Sequence, residues 1–117
     1  MQYSADYLVL EATNGQEADM HRRSQRIDCV VLELDLSSSS GFALLIDLLP
    51  RPSRPNIPVV VLTRVAYRGW LDLAKQMGTH ACLFKEYTSS EVLDKAIQRA
   101  IAFVGQMPKE ERHRPTI

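Results

Sequence analysis

Three polar residues stand directly after three short apolar runs of the chain, and they offer a carboxylate, a hydroxyl and an ammonium group that could bind one another. Thr63 lies 30 residues after Glu33, and Lys85 lies 22 residues after Thr63. If these runs are strands of one parallel sheet, their carboxyl ends meet at the same edge, where ligands bind in such folds. A carboxylate at a strand end needs a nearby cation, so we expect Glu33 to pair with Lys85. We expect Thr63 to act as a hydrogen-bonding residue at its own strand end.

The elements that must position these residues alternate between short apolar runs and longer segments of helical period. The predicted strands are four apolar runs, at 7–10, 29–32, 59–62 and 81–84. Helices are predicted from Asn14, after Gly41, around Trp70 with Gly78 at its end, and from a Thr88–Glu91 capping box to about Val104. Such alternation predicts an α/β fold with a parallel sheet and helices on both faces.

The composition is that of an ordinary soluble protein, and it excludes several classes of function. The 117 residues predict one domain over 1–117, with a core at about 7–104 and a loose tail at 105–117. The 14 basic and 14 acidic residues cancel, so we expect neither a nucleic-acid nor a membrane partner. The N-terminus lacks the pattern of a signal peptide, and a cytoplasmic location is expected. Cys29 and Cys82 lie in apolar runs without CxxC spacing, which indicates small buried thiols and no metal site.

Several segments of the chain resemble the receiver (CheY-like) domains of response regulators. The stretches 28–33, 58–63 and 83–85 are similar to the family's third, fourth and fifth strands, and 11–18 is similar to its second strand–helix junction. Gly41 matches the glycine that follows the phosphorylation loop. The resemblance covers about residues 7–104. It implies a flavodoxin-like, doubly wound parallel sheet and a role in two-component signalling.

The resemblance also implies a role for each residue of the site, and it shows where this chain departs from the family. Glu33 stands where the family has its phosphoacceptor aspartate, whereas Thr63 and Lys85 match the residues that bind the phosphoryl group. Cys82 replaces an expected aromatic residue, and Glu86 replaces an expected proline. The acidic pair that holds magnesium is missing, because the first strand and most of the first helix would lie before Met1. We therefore expect a degenerate site without catalysis, phosphorylation, metal or other cofactor.

The sequence is compatible with more than one role for Glu33 and for the chain. Glu33 either mimics the phosphorylated state or has merely drifted and is tolerated beside Lys85. Asp35 is a second candidate phosphoacceptor, displaced by two positions. The chain could also be a true phosphoacceptor whose first strand comes from a longer gene product or another chain. A small α/β hydrolase or nucleotide-binding fragment is a third class, but the sequence has no glycine-rich loop and no nucleophile–histidine pairing.

The expected partners are proteins, such as a histidine kinase or another signalling protein. The apolar residues of the last helix span a wider arc than one sheet face requires, and the expected first strand and helix are absent. Residues 7–11 must then pair directly with 28–34, or the gap needs a partner. We therefore expect a homodimer, or a complex in which another chain covers this side. The candidate interaction residues lie on the last two helices, namely Tyr67, Trp70, Ile97, Ile101, Phe103 and Val104.

Overall fold

The computed structural model describes residues 10, 12, 15–35, 41–50, 57–64 and 67–105. Within these residues, three strands alternate with four helices and one short 3-10 turn. In chain order they are α1 (Gly15–Ser24), β1 (Val30–Leu32), α2 (Gly41–Leu48), β2 (Val59–Thr63), α3 (Arg68–Gln76), β3 (Ala81–Phe84), the 3-10 turn (Lys85–Tyr87) and α4 (Ser90–Gly105).

The three strands form one parallel sheet in the order β1-β2-β3. Val30 pairs with Val59 at the start of β1, and Thr63 pairs with Phe84 at the end of β2. Every residue of β2 is buried. A strand with helices on both faces must be apolar on both sides, which explains the unbroken Val-Val-Val-Leu sequence of β2.

Two clusters of buried side chains lie on opposite faces of the sheet. On one face, α2 and α3 pack through Leu45, Leu48 and Ala74 against residues that include Leu32 and Val61. On the other face, α4 covers the sheet. Its residues Leu93, Ile97 and Ala100 pack against Val60 and Leu62 of β2. Alternate residues of β2 thus point to alternate faces, as the two-residue period of a strand requires. The result is the doubly wound α/β arrangement that the sequence predicts, now confirmed.

Three of the four predicted strands are present within a residue or two of their predicted bounds. The predicted strand at 7–10 and its pairing with 28–34 fall largely outside the described residues, as does the tail after 105. Helix α3 ends as predicted, because Gly78 follows it with a positive φ of 102°, a conformation that glycine adopts without strain.

The predicted capping box of the last helix is wrong by one residue. The hydroxyl of Ser89, and not that of Thr88, accepts the hydrogen bond from the Val92 N–H at 3.2 Å. Thr88 instead donates its hydroxyl proton to the carbonyl of Phe84 at 2.7 Å. Thr88 thus bonds back to the segment before it, and the next hydroxyl residue, Ser89, caps the helix.

Candidate functional site

Glu33, Thr63 and Lys85 come together at the carboxyl edge of the sheet. Glu33 is the first residue after β1, Thr63 is the last residue of β2, and Lys85 is the first residue after β3. The parallel register places these three strand ends side by side. The closeness that the sequence predicts for the three side chains is therefore present in the structure.

Both oxygens of the Glu33 carboxylate have donor groups of the protein around them. At Oε2 it accepts a short hydrogen bond from the Thr63 hydroxyl and another from the Asp35 N–H at 3.1 Å. At Oε1 it accepts from the Arg64 N–H at 3.1 Å and faces the Lys85 ammonium at 3.7 Å. Two carboxylate oxygens offer about four lone-pair directions, and hydrogen bonds from Asp35, Thr63 and Arg64 engage three of them, while Lys85 adds its charge.

The surroundings of Glu33 keep it charged. Partial burial of the carboxyl by itself raises its pKa. The hydrogen bonds from Thr63, Asp35 and Arg64, together with the charge of Lys85, outweigh that burial, and the pKa of Glu33 lies below its ordinary value. The ion pair alone contributes little, because 48% of the Lys85 side chain is exposed to water. The hydrogen bonds hold the carboxylate.

Because Gly41 has no side chain, the first residue of helix α2 can pack closely against the backbone of Glu33 and Leu34. A Cβ atom on Gly41 would lie 2.5 Å from the Glu33 carbonyl oxygen and 2.7 Å from the Leu34 Cα. The Gly41 N–H also donates to the Leu34 carbonyl at 3.1 Å. The family resemblance singled out this glycine, and the structure supplies the reason: the backbone after β1 passes too close for any side chain.

Two hydrogen-bond donors of this site cannot be recognised from the sequence. The N–H groups of Asp35 and Arg64 belong to the main chain, so their residue types say nothing about their role. Each is the backbone donor that follows a strand end, two residues after Glu33 and one residue after Thr63. The side chain of Asp35 is exposed. Only the path of the backbone shows that both donors point to one carboxylate.

Beyond Lys85 the chain forms a 3-10 turn that projects a tyrosine into solvent. Tyr87 is 81% exposed, and its ring lies 5.2 Å from that of Phe84. The Thr88 N–H closes the turn by donating to the Lys85 carbonyl at 3.3 Å. Glu86, which stands where the resemblance predicts proline, is an exposed residue of this turn.

Cys82 fills the position where the resemblance predicts an aromatic side chain. It is partly buried and packs against the cluster beneath α2 and α3. Its thiol donates to the Leu71 carbonyl at 3.7 Å and lies 3.4 Å from the Thr79 hydroxyl. Burial raises the pKa of this thiol and outweighs the opposing effects of Thr79 and Lys75. The side chain is thus a small packed thiol, and no ring stands at this position.

Among the candidate interaction residues, the structure separates exposed from buried side chains. Tyr67 is 61% exposed and Phe103 is 50% exposed, and each makes one aromatic contact, with Trp70 and His80 respectively. Ile101 is partly buried. Trp70 is partly buried as well, and it packs edge-on against Phe42 of α2 at 5.7 Å.

The assignment of Ile97 and Val104 to an interaction surface is wrong. Both are buried within the chain, at 5% and 4% exposure. They lie on the face of α4 that covers the sheet, together with Leu93 and Ala100. The wide apolar arc of α4 therefore splits into a buried stripe and an exposed one, which a count of apolar residues does not distinguish.

Potential metal ligands are not clustered among the residues that the structure describes. Mg²⁺ prefers octahedral coordination by oxygen atoms, usually with one or two carboxylates. In the described ranges no three side chains of His, Cys, Asp or Glu are grouped closely enough to hold a metal ion. The Glu33 oxygens already face four donors, one of which is a cation.

No helix in the same ranges is long and apolar enough to cross a membrane.

Comparison with protein-family models gives a match to the response regulator receiver domain over residues 1–98. A search among curated proteins gives no significant match.

Solved structures of receiver domains share this fold. The receiver domain protein of Clostridium thermocellum superposes with a TM-score of 0.68 at 23% identity, covering 80% of this chain and 74% of that one. The receiver domain of a signal transduction histidine kinase from Syntrophus aciditrophicus gives 0.69 at 22% identity, with 88% and 77% covered. A CheY-like receiver domain protein from Methanospirillum hungatei JF-1 gives 0.67 at 15% identity, with 79% and 71% covered. At these identities the likeness shows the fold.

Proposed function

The chain belongs to the response regulator receiver domain family, and from that premise we propose that it is a receiver that does not accept a phosphoryl group and acts through protein contacts. Receiver domains work in two-component signalling by contacting proteins such as histidine kinases. They are in general signalling modules without enzymatic activity of their own.

The observation that carries the proposal is that the Glu33 carboxylate is already bound by hydrogen bonds and an ion pair within the chain. A phosphoacceptor must direct a free oxygen lone pair at the phosphorus atom, with a metal ion to neutralise the developing charge. Both Glu33 oxygens instead accept hydrogen bonds, which come from Thr63, Asp35 and Arg64, and Oε1 also forms an ion pair with Lys85. Attack on phosphorus would have to break several of these hydrogen bonds first. Thr63 and Lys85, the groups that would bind an incoming phosphoryl group, already bind this carboxylate.

Incubation with acetyl phosphate and magnesium, followed by intact-mass measurement, tests the proposal. We expect no gain of phosphoryl mass by the wild-type chain, while a receiver domain that has the aspartate gains it under the same conditions. The variants Glu33→Gln and Asp35→Asn serve as matched controls. A wild-type gain that Glu33→Gln abolishes would identify Glu33 as a true phosphoacceptor. A gain that only Asp35→Asn abolishes would identify Asp35 instead, and either result would overturn the proposal.

We further propose that the chain forms a homodimer through the outer side of α4. Val92 and Phe103 are 48% and 50% exposed. They are eleven residues apart, and three helical turns take about 10.8 residues, so both lie on one side of the helix. Two half-exposed apolar side chains on one side of a helix favour contact with another protein. Tyr67 beside Trp70 offers a second exposed aromatic surface, for a signalling partner.

A further inference from the structure

The two half-exposed apolar residues of α4 are placed symmetrically along the helix. Val92 is the third residue of α4 from its start, and Phe103 is the third residue from its end. When two copies of a helix pack antiparallel about a two-fold axis through their midpoints, each residue meets the one at the same distance from the opposite end. Val92 of one copy then contacts Phe103 of the other, and the contact occurs twice. The outer side of α4 is therefore complementary to itself, which favours a second copy of the chain as its partner.

A histidine lies at the edge of this surface. The ring centroid of His80 is 5.6 Å from that of Phe103, and the two ring planes are inclined by 47°. His80 is exposed and stands directly before β3, where its N–H donates to the Val59 carbonyl at 2.8 Å. The sheet thus fixes the backbone position of this histidine. Because the two rings are in contact, a partner that covers Phe103 also removes water from the ring of His80.

The charged groups on the elements around His80 make a further positive charge unfavourable there. Arg99 lies on the outer side of α4, and Lys75 lies in the last turn of α3, five residues before His80. Strand β2, to which the His80 backbone is bonded, carries no titratable residue. The acidic neighbour of Val92, Glu91, points about 100° away from it around the helix. A protonated His80 would therefore enter the contact between two copies as a desolvated cation close to other cations, which costs free energy.

We propose that two copies of the chain pair through antiparallel α4 helices, and that protonation of His80 weakens this contact. The inference rests on the proposed function, in which the outer side of α4 forms a homodimer. It adds a signal that requires no phosphoryl group, because histidine changes its charge in the physiological range, at an ordinary pKa of about 6.5. Two-fold symmetry places His80 of both copies at the contact, so that each dimer excludes two protons.

Sedimentation velocity over a range of concentrations, at pH 7.5 and at pH 5.5, tests the proposal. The dissociation constant of the wild-type dimer should rise at the lower pH by at least about tenfold, and by about a hundredfold if both protons are fully excluded. His80→Gln is neutral at both pH values, and its dissociation constant should change by less than about twofold. His80→Lys is charged at both pH values, and it should dimerise weakly at both.

The matched control is His21→Gln, which removes a histidine from α1 and should keep the full pH response. Circular dichroism at both pH values checks that each variant remains folded. The proposal is overturned if the wild-type dimer is equally strong at both pH values or stronger at pH 5.5, or if His80→Gln retains the response. A wild-type chain that is monomeric at pH 7.5 would instead refute the proposed homodimer, so the two failures are distinguishable.

Disulfide cross-linking at pH 7.5 tests the antiparallel arrangement separately. Val92→Cys and Phe103→Cys are each made in a Cys29→Ala/Cys82→Ala background, so that each chain carries one thiol. When the two variants are mixed and oxidised, we expect a disulfide between one copy of each, because the two Cβ atoms must come within about 4 Å. In the same arrangement position 92 lies roughly 16 Å along the helix from position 92 of the other copy. A Val92→Cys chain that links to itself as readily as to Phe103→Cys would overturn the antiparallel contact.

Discussion

At the scale of single residues, the contacts of Glu33 are the basis of the proposal that this receiver does not accept a phosphoryl group. The side chain of Glu33 is one methylene longer than that of aspartate, and the extra length lets the carboxylate reach Thr63 and Lys85 directly. If Glu33 is merely a drifted residue, the neutralising charge of Lys85 is enough to explain why its carboxylate is tolerated. The structure adds a hydroxyl and two main-chain donors to this environment of the carboxylate.

The lowered pKa of Glu33 predicts how stability depends on pH. Folding favours the charged carboxylate, so its stabilisation is present above the unfolded pKa of about 4.3 and is lost as the pH falls through the lower folded pKa. We expect Glu33→Gln to be less stable than wild type by about 1–2 kcal/mol at pH 7. The difference should vanish in acid. Urea unfolding between pH 7 and pH 3 measures it.

The matched control for this prediction is Glu86→Gln, which removes an exposed carboxylate from the neighbouring turn. It should change stability by no more than about 0.5 kcal/mol at any pH in this range. A Glu33→Gln deficit that stays constant or grows toward pH 3 would contradict the account of Glu33.

Cys29 provides a second prediction at this scale. Burial, together with the charge of Asp28, raises the pKa of its thiol to about 12. Because only the thiolate reacts with alkylating reagents, we expect Cys29 to react with iodoacetamide at pH 8 at least about a hundredfold more slowly in the folded than in the unfolded chain. Mass spectrometry of a Cys82→Ala variant, with and without urea, measures Cys29 alone. Equal rates in the two states would reject the prediction.

At the scale of elements, the junction between β1 and α2 positions the site. The Gly41 backbone packs against Glu33 and Leu34 with no room for a Cβ atom. We expect Gly41→Ala to lower the free energy of unfolding by about 1–3 kcal/mol, because the backbone beside Glu33 must shift. Urea denaturation measures this loss.

Gly105 is the matched control for the junction. It ends α4, and a Cβ atom there would meet nothing within 4 Å. Gly105→Ala should therefore leave stability unchanged or raise it by up to about 1 kcal/mol, since alanine favours helix. Equal losses at the two positions would show that the crowding at Gly41 has no special effect.

At the scale of the whole molecule, α4 has two apolar sides with different roles. Leu93, Ile97 and Ala100 belong to the core, whereas Val92 and Phe103 are half exposed. The described chain therefore buries one side of α4 and leaves apolar surface at Val92 and Phe103 on another. The proposed homodimer uses that outer side.

Sedimentation velocity tests this prediction directly. We expect wild-type protein to sediment as a dimer at micromolar concentration, and Phe103→Asp to shift it toward monomer while circular dichroism stays unchanged. Tyr67→Ser, on the other exposed aromatic surface, should leave the dimer intact. A stable and folded wild-type monomer would contradict the proposed homodimer.

The sequence alone determined the order of the elements and the three side chains of the site. An unbroken apolar run predicts β2 as a strand buried on both faces, and a period of about 3.6 residues predicts α4 as a helix with an apolar side. The spacing of Glu33, Thr63 and Lys85 pointed to one edge of a parallel sheet, because all three follow a strand. These properties depend on local pattern, and the structure agrees with them.

Two properties depend on the three-dimensional fold and could not be predicted from the sequence. They are the main-chain groups that complete the site and the apolar residues that are exposed. The N–H groups of Asp35 and Arg64 have no residue type to reveal them, and their direction depends on how the chain leaves β1 and β2. The same holds for Ile97 and Phe103, since both are apolar residues of one helix. Their difference in burial arises from the rotation of α4 against the sheet. The direction of an N–H group and the rotation of a helix depend on packing between segments that are distant in the sequence. A local pattern of residues does not contain this information.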